Sequence, residues 1–355
     1  MSWQGIEGHD AIVEKFRTAL ERERLASTYL FVGPSGVGKC SFAVKLAQVL
    51  LCQRRRPVEM EPCGECDACA LVEAMTHPDL HLVAKPPEKS EIPVDLLIGE
   101  RERRMQEGLC HDIGLKPYLG PRKVAIVDDA DHLNEEGANC LLKTLEEPPP
   151  RSVLILIGTS AERQLPTIRS RCQMIYFRPL DAQVVARLVL ASRLVENEAD
   201  AQRLARSCGG SLQRAVELAD EPLWAFRRQL LTALAESDWD SVRLARAAGE
   251  FVEAAGREGA AKRRRARQII AFCEELYTEV MREIAGAAQD IDVELRDAAT
   301  RVTGGGSLDV ETAADCLERC AAAIRQIDGN AQQTTVLDCL FDDLARLSAP
   351  RAQRF

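Results

Sequence analysis

The stretch TYLFVGPSGVGKC, residues 28–40, constrains the fold more than any other part of this chain. An apolar run over 28–33 reads as a buried strand, passes into a glycine-rich loop, and continues as a helix over about 39–51. In that order the glycines Gly33, Gly36 and Gly38 let successive backbone amides turn toward one anion. The helix adds the positive end of its dipole, and Lys39 reaches the outer phosphates. One position departs from the pattern. Cys40 stands where Ser or Thr normally offers a hydroxyl to magnesium, a hard cation that prefers oxygen to sulfur. The loop therefore keeps its phosphate-binding form, while metal-assisted chemistry is weakened more than phosphate binding.

Further apolar runs, DLHLVA (79–84), KVAIVDD (123–129) and SVLILIGTS (152–160), alternate with helical or loop-forming sequence. This alternation predicts an α/β fold, a parallel sheet with helices on both faces. Residues 9–24 read as an amphipathic helix with Ile12, Phe16, Ala19 and Leu20 on one face. After RSRCQMIYFRPL (169–180) the strand signal stops. From Asp181 onward the pattern is helical, broken at CGGS (208–211), at Pro222 and at GGG (304–306).

A magnesium and water site also needs carboxylates at the end of a neighbouring strand, and KVAIVDDAD supplies Asp128 and Asp129 there. Asp128 suits the metal side. Asp129 falls where a longer glutamate usually polarises the attacking water. The bland alternative is that the two acids are solvated caps of the following helix. Cys52, Cys63, Cys66 and Cys69 are spaced Cx10CxxCxxC, and four thiolates close a tetrahedral zinc site with no open position for substrate. A redox pair or idle thiols would be the other reading. Thirteen cysteines, an odd number, do not suggest a disulfide framework here, and those outside the cluster read as core residues.

The net charge of −9 excludes a general polyanion binder. The basic runs RRR (54–56) and AKRRRARQ (261–268) read as solvated faces or as contacts to phosphate or an acidic partner, without the interleaved aromatics of a single-strand binder. No apolar run approaches the length of a membrane span, and the amino terminus MSWQGIEGHD lacks the order of a signal peptide, so a cytoplasmic location is expected.

Taken together, YLFVGPSGVGK, the cysteine cluster, VAIVDDADHLNEEGANCLLKTLEEPP and LPTIRSRCQ resemble the clamp-loader subunits of bacterial DNA polymerase III, AAA+ proteins, and in particular their δ′ branch. The resemblance implies an AAA+ domain over 1–178 with a zinc insertion at 52–69, a helical lid over 179–221 and a helical collar over 222–355. It implies that Arg171, in SRC, is extended in trans into a neighbour's ATP site, and that Ser160 falls at the sensor position near the γ-phosphate. In the lid, ATP-hydrolysing relatives carry an arginine where GSLQRA puts Gln213, with Arg214 one helical step on. Cys40, Asp129 and Gln213 all depart at groups that would serve the chain's own hydrolysis, whereas Arg171 serves a neighbour. The implied role is a subunit that assists hydrolysis elsewhere, with γ/τ ATPases, δ, the sliding clamp and primed DNA as partners. The rival readings are an active γ/τ-like ATPase, a small-molecule kinase, and a free-standing DNA-binding protein.

Overall fold

The computed structural model describes residues 2–3, 5–86, 89–236, 238–256, 258–287, 293–304 and 308–348. The chain forms two compact units, one of Met1–Arg193 with Cys208–Ala215, the other of Leu194–Ser207 with Val216–Phe355.

In the first unit a short antiparallel ribbon, β1 (Ser2–Trp3) with β2 (Ile6–Glu7), precedes α1 (Asp10–Glu21). The Trp3 indole N–H donates to the Met60 carbonyl, and its ring packs on Phe42 with centroids 4.8 Å apart. Five parallel strands follow: β3 (Thr28–Val32), β4 (Leu80–Val83), β5 (Lys123–Val127), β6 (Ser152–Gly158) and β7 (Gln173–Tyr176), in the spatial order β4–β5–β6–β3–β7. β3, β5 and β6 are buried at every position, which is why they read as continuous apolar runs.

Successive side chains of β3 point to opposite faces of the sheet. Tyr29 and Phe31 pack with Phe16 of α1 and with Phe42 and Leu46 of α2 (Lys39–Leu51). The cysteine insertion that follows α2 carries a 3-10 turn, Pro57–Glu59, and leads into α3 (Asp67–Glu73). Leu30 and Val32 face the other layer, where α4 (Val94–Ile98), α5 (Leu109–Asp112) and α6 (Glu135–Glu146) supply Leu97, Leu109, Leu141 and Leu145. The layer is completed by α7 (Pro166–Arg169), and α8 (Ala182–Ala191) follows β7.

Below the sheet's edge strand β4, the wholly buried Asp79 accepts hydrogen bonds from three consecutive amides, Tyr118 at 2.6 Å, Leu119 at 2.8 Å and Gly120 at 2.7 Å. Lys123 lies 3.5 Å from the same carboxylate. Burial alone would raise this carboxyl's pKa, but the three amides and Lys123 outweigh it and hold the group below the usual carboxylate range. The turn into β5 is thereby fixed.

The second unit begins with α9 (Glu198–Ser207), and α10 (Leu212–Leu218) starts in the first unit and ends in the second. CGGS lies between these helices, with Gly209 and Gly210 in left-handed conformation at φ 57° and 77°. Pro222 does not break a helix; it sits in the first turn of α11 (Glu221–Leu234), where its missing N–H would have had no partner. The remaining helices are α12 (Ser241–Glu253), α13 (Gly259–Ile284), α14 (Val293–Gly304), α15 (Val310–Asp328) and α16 (Gln333–Ser348). Of the GGG run, Gly304 ends α14, while 305 and 306 lie outside the described residues, as do 349–355. Ile269, Ile270, Cys273, Leu276 and Val280 of α13 form the centre of this unit's core, together with Cys316 and Cys320 of α15. These thiols are packing groups, as their apolar surroundings in the sequence suggested. Arg227, 1% exposed, is held by Glu275 at 3.4 Å, with Trp224 and Phe272 ring centres 5.0 and 5.7 Å from its guanidinium. Among the described residues no helix is long and apolar enough to cross a membrane.

Candidate functional site

The loop between β3 and α2 is shaped by its glycines. Gly36 and Gly38 have φ of 75° and 93°, the left-handed region that side chains resist, and Gly38 is the N-cap of α2. Lys39 is only 7% exposed, and its ammonium donates to the carbonyls of Gly33 at 2.6 Å and Pro34 at 2.7 Å. Burial pulls the Lys39 pKa below its ordinary value, opposed by the acids Asp128, Asp131 and Asp129. Beneath the loop, His9 donates from Nε2 to the Val37 carbonyl at 2.7 Å, which holds the loop against α1.

Gly36, Gly38, Lys39 and Cys40 share a cavity of about 300 Å³ with Asp128 and Asp129. The C-terminal ends of β3, β5 and β6 converge here, the edge where open parallel sheets bind ligands. Gly33 lies at the loop's start, where an added Cβ would come within 2.3 Å of the Phe177 carbonyl. Burial, and then the adjacent Asp128, push the Cys40 thiol up to about 12, so sulfur is present here as neutral thiol and is a poor magnesium ligand. Asp129 sits at φ 56°, and partial burial beside Asp128 raises its pKa, offset in part by His132 and Lys85. Neither acid caps α6. Asn134 does so, accepting from the Gly137 amide at 2.8 Å, and Asp129 makes no side-chain cap to the 3-10 turn Ala130–His132.

Among the residues of this site that escaped the sequence reading, Asp131 and Thr159 make its central hydrogen bonds. Asp131 accepts from the Thr159 amide at 2.7 Å, from the Thr159 hydroxyl and from Gln164 Nε2 at 2.5 Å, tying the end of β5 to the end of β6. Both Asp131 and Thr159 line the cavity. Ser160, expected at the sensor position, is not among the lining residues, and its hydroxyl pairs with Glu162. At this end of β6 it is the neighbouring Thr159 that lines the cavity, beside Ser35 and Ser41 of the loop and helix α2. The sequence signal was the polar pair Thr159–Ser160 itself, and which of the two faces the site is decided by the bend just after β6 and by the bonds from Thr159 to Asp131.

The start of α10 rests directly on the phosphate loop. The Leu212 amide donates to the Gly36 carbonyl at 2.9 Å, and a Cβ on Gly36 would lie 2.2 Å from Ser211 Oγ and 2.6 Å from Gln213 Cβ. Gln213 lines the cavity, and Arg214 is not among its lining residues. A 100° helical step separates the two.

In the insertion, the sulfurs of Cys52, Cys63, Cys66 and Cys69 all lie within 4.8 Å of one another. Cys52 caps the C-terminus of α2, and Cys66 caps the N-terminus of α3, its sulfur accepting from the Cys69 amide. Amides of Glu65 and Cys66 draw the Cys63 thiol down to about 6. Gln48 of α2 donates to the Cys69 carbonyl at 3.1 Å. Four converging soft donors, with amides already aimed at sulfur, form a donor set that suits zinc. The neighbouring RRR run is internally neutralised: Arg54 pairs with Glu65, Arg55 with Glu61 and Arg56 with Glu59.

Arg171 is at the opposite end of the sheet. It precedes β7, whose Gln173 is in register with Tyr29, and its carbonyl accepts from the Thr28 hydroxyl at 2.7 Å. β3 separates it from the phosphate loop by about 16 Å at 3.3 Å per residue. Its guanidinium pairs with Glu146, Nε at 2.8 Å and Nη2 at 2.6 Å from Oε1, while Nη1 reaches the Thr167 carbonyl at 2.9 Å and the Ser170 hydroxyl at 3.0 Å. Cys172 next to it is a packing residue whose thiol burial pushes up to about 12.

A family model described as DNA polymerase III, delta subunit, matches residues 8–181. DNA polymerase III subunit delta′ of Pseudomonas aeruginosa is 36% identical over 237 residues, 63% of this chain and 68% of that protein. The delta′ subunit of Bacillus subtilis is 31% identical over 239 residues, 66% of this chain and 67% of that protein. The tau/gamma subunit of Haemophilus influenzae is also similar, 31% identical over 63% of this chain but only 31% of its own length. With its phosphate loop, SRC arginine and cysteine insertion on one parallel sheet, this chain belongs to the δ′ family of DNA polymerase III clamp-loader subunits.

Proposed function

We propose that the chain works in the cytoplasm as the passive end subunit of a clamp-loader ring, donating Arg171 to the ATP site of an adjacent subunit. Its partners are γ/τ-type ATPases and δ, and the ring loads a sliding clamp onto primed DNA. The observation that carries this reading is the position of Arg171, one strand length of about 16 Å from the chain's own phosphate loop. From there it cannot serve its own loop, and a fixed guanidinium can stabilise charge on a γ-phosphate presented by a neighbour.

The chain's own site supports a subordinate role. Lys39 is turned inward, Cys40 offers no hydroxyl, Asp129 is one methylene short, and Gln213 replaces a cation. Residues 211–213 cover Gly36, so ATP and magnesium bind weakly here or must first displace the lid. Cys52, Cys63, Cys66 and Cys69 would hold a structural zinc ion, which supplies no chemistry beyond cross-linking the insertion. The functional division remains AAA+ domain 1–178, lid 179–221 and collar 222–355.

In a reconstituted loader, Arg171→Ala should lower the rate of ATP hydrolysis at least about tenfold while leaving assembly intact, since a trans-acting arginine contributes up to several powers of ten. An unchanged rate would refute the role. A second reading, an active γ/τ-like ATPase, is favoured by the meeting of Lys39 and Asp128 in one cavity. Calorimetric titration of the isolated chain with magnesium ATP separates the two: sustained heat of turnover, abolished by Lys39→Ala, would replace the first reading with the second.

A further inference from the structure

We infer that Glu146 is a positioning residue for Arg171: it splints the guanidinium in the orientation that a neighbouring triphosphate requires. The inference rests on the trans role proposed for Arg171 and assigns the residue that enables it.

Arginine has five N–H donors in a rigid fork. Four of them are engaged within this subunit. Nε and one hydrogen of Nη2 point to the single oxygen Oε1 of Glu146, and Nη1 is divided between the Thr167 carbonyl and the Ser170 hydroxyl. The second hydrogen of Nη2 is the donor left over, and the side chain keeps one third of its surface open. An unrestrained arginine on a surface samples many rotamers; this one is held on two sides and presents one edge.

The placement of Glu146 argues against a purely stabilising purpose. It is the last residue of α6, and Glu147 follows as the C-cap. A carboxylate at a helix C-terminus faces the negative end of the dipole, which is unfavourable. The ion pair is also half-exposed, with 49% of the Glu146 side-chain surface open, and pairs of that kind add little to stability. What the arrangement does supply is direction. Pro148 and Pro149 stiffen the chain just beyond Glu147, and α6 packs against α7, whose Thr167 and C-cap residue Ser170 supply the other two acceptors. Carboxylate, carbonyl and hydroxyl are therefore mounted on two packed helices and aim one guanidinium.

The test uses the full loader reconstituted with Arg171→Ala, Glu146→Ala, Glu146→Gln and the Arg171→Ala/Glu146→Ala double variant. Glu146→Ala should reduce kcat for ATP hydrolysis about tenfold to a hundredfold, the range for misplacing a catalytic group by about 1 Å, with KM for ATP unchanged. Glu146→Gln keeps the accepting oxygen and should recover most of the rate. In the Arg171→Ala background, removing Glu146 should have no further effect. Equal thermal melting of the isolated Glu146→Gln chain and wild type shows that the fold is kept. A faster loader on Glu146→Ala would mean that Glu146 restrains Arg171 in an unproductive state, and would overturn the inference, as would additive losses in the double variant. If Arg171→Ala loses activity but Glu146→Ala does not, only the splint fails. If Arg171→Ala itself is silent, the trans role fails first and the splint with it.

Discussion

At the scale of single residues, the least replaceable position in the phosphate loop is Gly36. It combines a left-handed φ of 75° with the closely packed Ser211 and Gln213, which leave no room for a methyl group. Gly36→Ala should cost about 1–3 kcal/mol from backbone strain, more if Ser211 and Gln213 cannot withdraw; chemical denaturation of the variant against wild type measures it. Asp79 is a second sensitive residue. Asp79→Asn leaves Lys123 without its counter-charge and only one oxygen for three amides, a loss of about 3 kcal/mol. The pH dependence follows from the same group. Its carboxyl is depressed in the folded state, so its contribution is complete above the unfolded carboxylate value of about 3.9 and disappears as pH falls through the lower folded value. His9, His77 and His81 are likewise depressed, by burial chiefly, so stability begins to fall already below about pH 6.5 as the unfolded chain takes up protons first. Denaturation curves from pH 7 to 3 should show both steps, and Asp79→Asn should lose the lower one.

The element that connects the two candidate sites is α2. It starts at Lys39 in the phosphate loop and runs to Leu51, with the first cluster cysteine as its C-cap. Cys66 opens α3, so a metal ion held by the four sulfurs would join the end of one helix to the start of the next. Cys66→Ser should therefore release about one metal ion per chain and lower the melting temperature, with metal analysis and thermal denaturation as the readouts. A parent protein without bound metal would remove the zinc assignment. The spacing of the cysteines announced this cluster in the sequence. The hydrogen bonds that brace it, from Gln48 and through Trp3 to Met60, were not legible, because they join residues 21 and 57 positions apart whose types carry no motif.

For the whole molecule, net charge and local pairing agree. The acidic total of −9 gives no general attraction to nucleic acid, and the longest basic run is largely spent on intrachain partners: Lys262 on Glu253, Arg265 on Asp220 and Arg267 on Asp328. The isolated chain should show no saturable binding to primed DNA at micromolar concentration by fluorescence anisotropy. Strong binding that weakens steeply with salt would restore a direct DNA-binding role.

The sequence by itself determined the α/β order, the phosphate loop, the four clustered cysteines and the change to an all-helical second half, because each depends on local spacing or on burial strong enough to show in hydrophobicity. Tertiary structure alone decided that Thr159 rather than Ser160 faces the cavity, that Asp131 braces it, that Gln213 lies over Gly36, and that Glu146 meets Arg171. Each of these is a pairing between residues distant in sequence, fixed by how the turns at strand ends, the phosphate loop and the helices pack in space. The compact units also divide within the segment that the resemblance marked as one lid, since burial follows contacts in space rather than continuity along the chain.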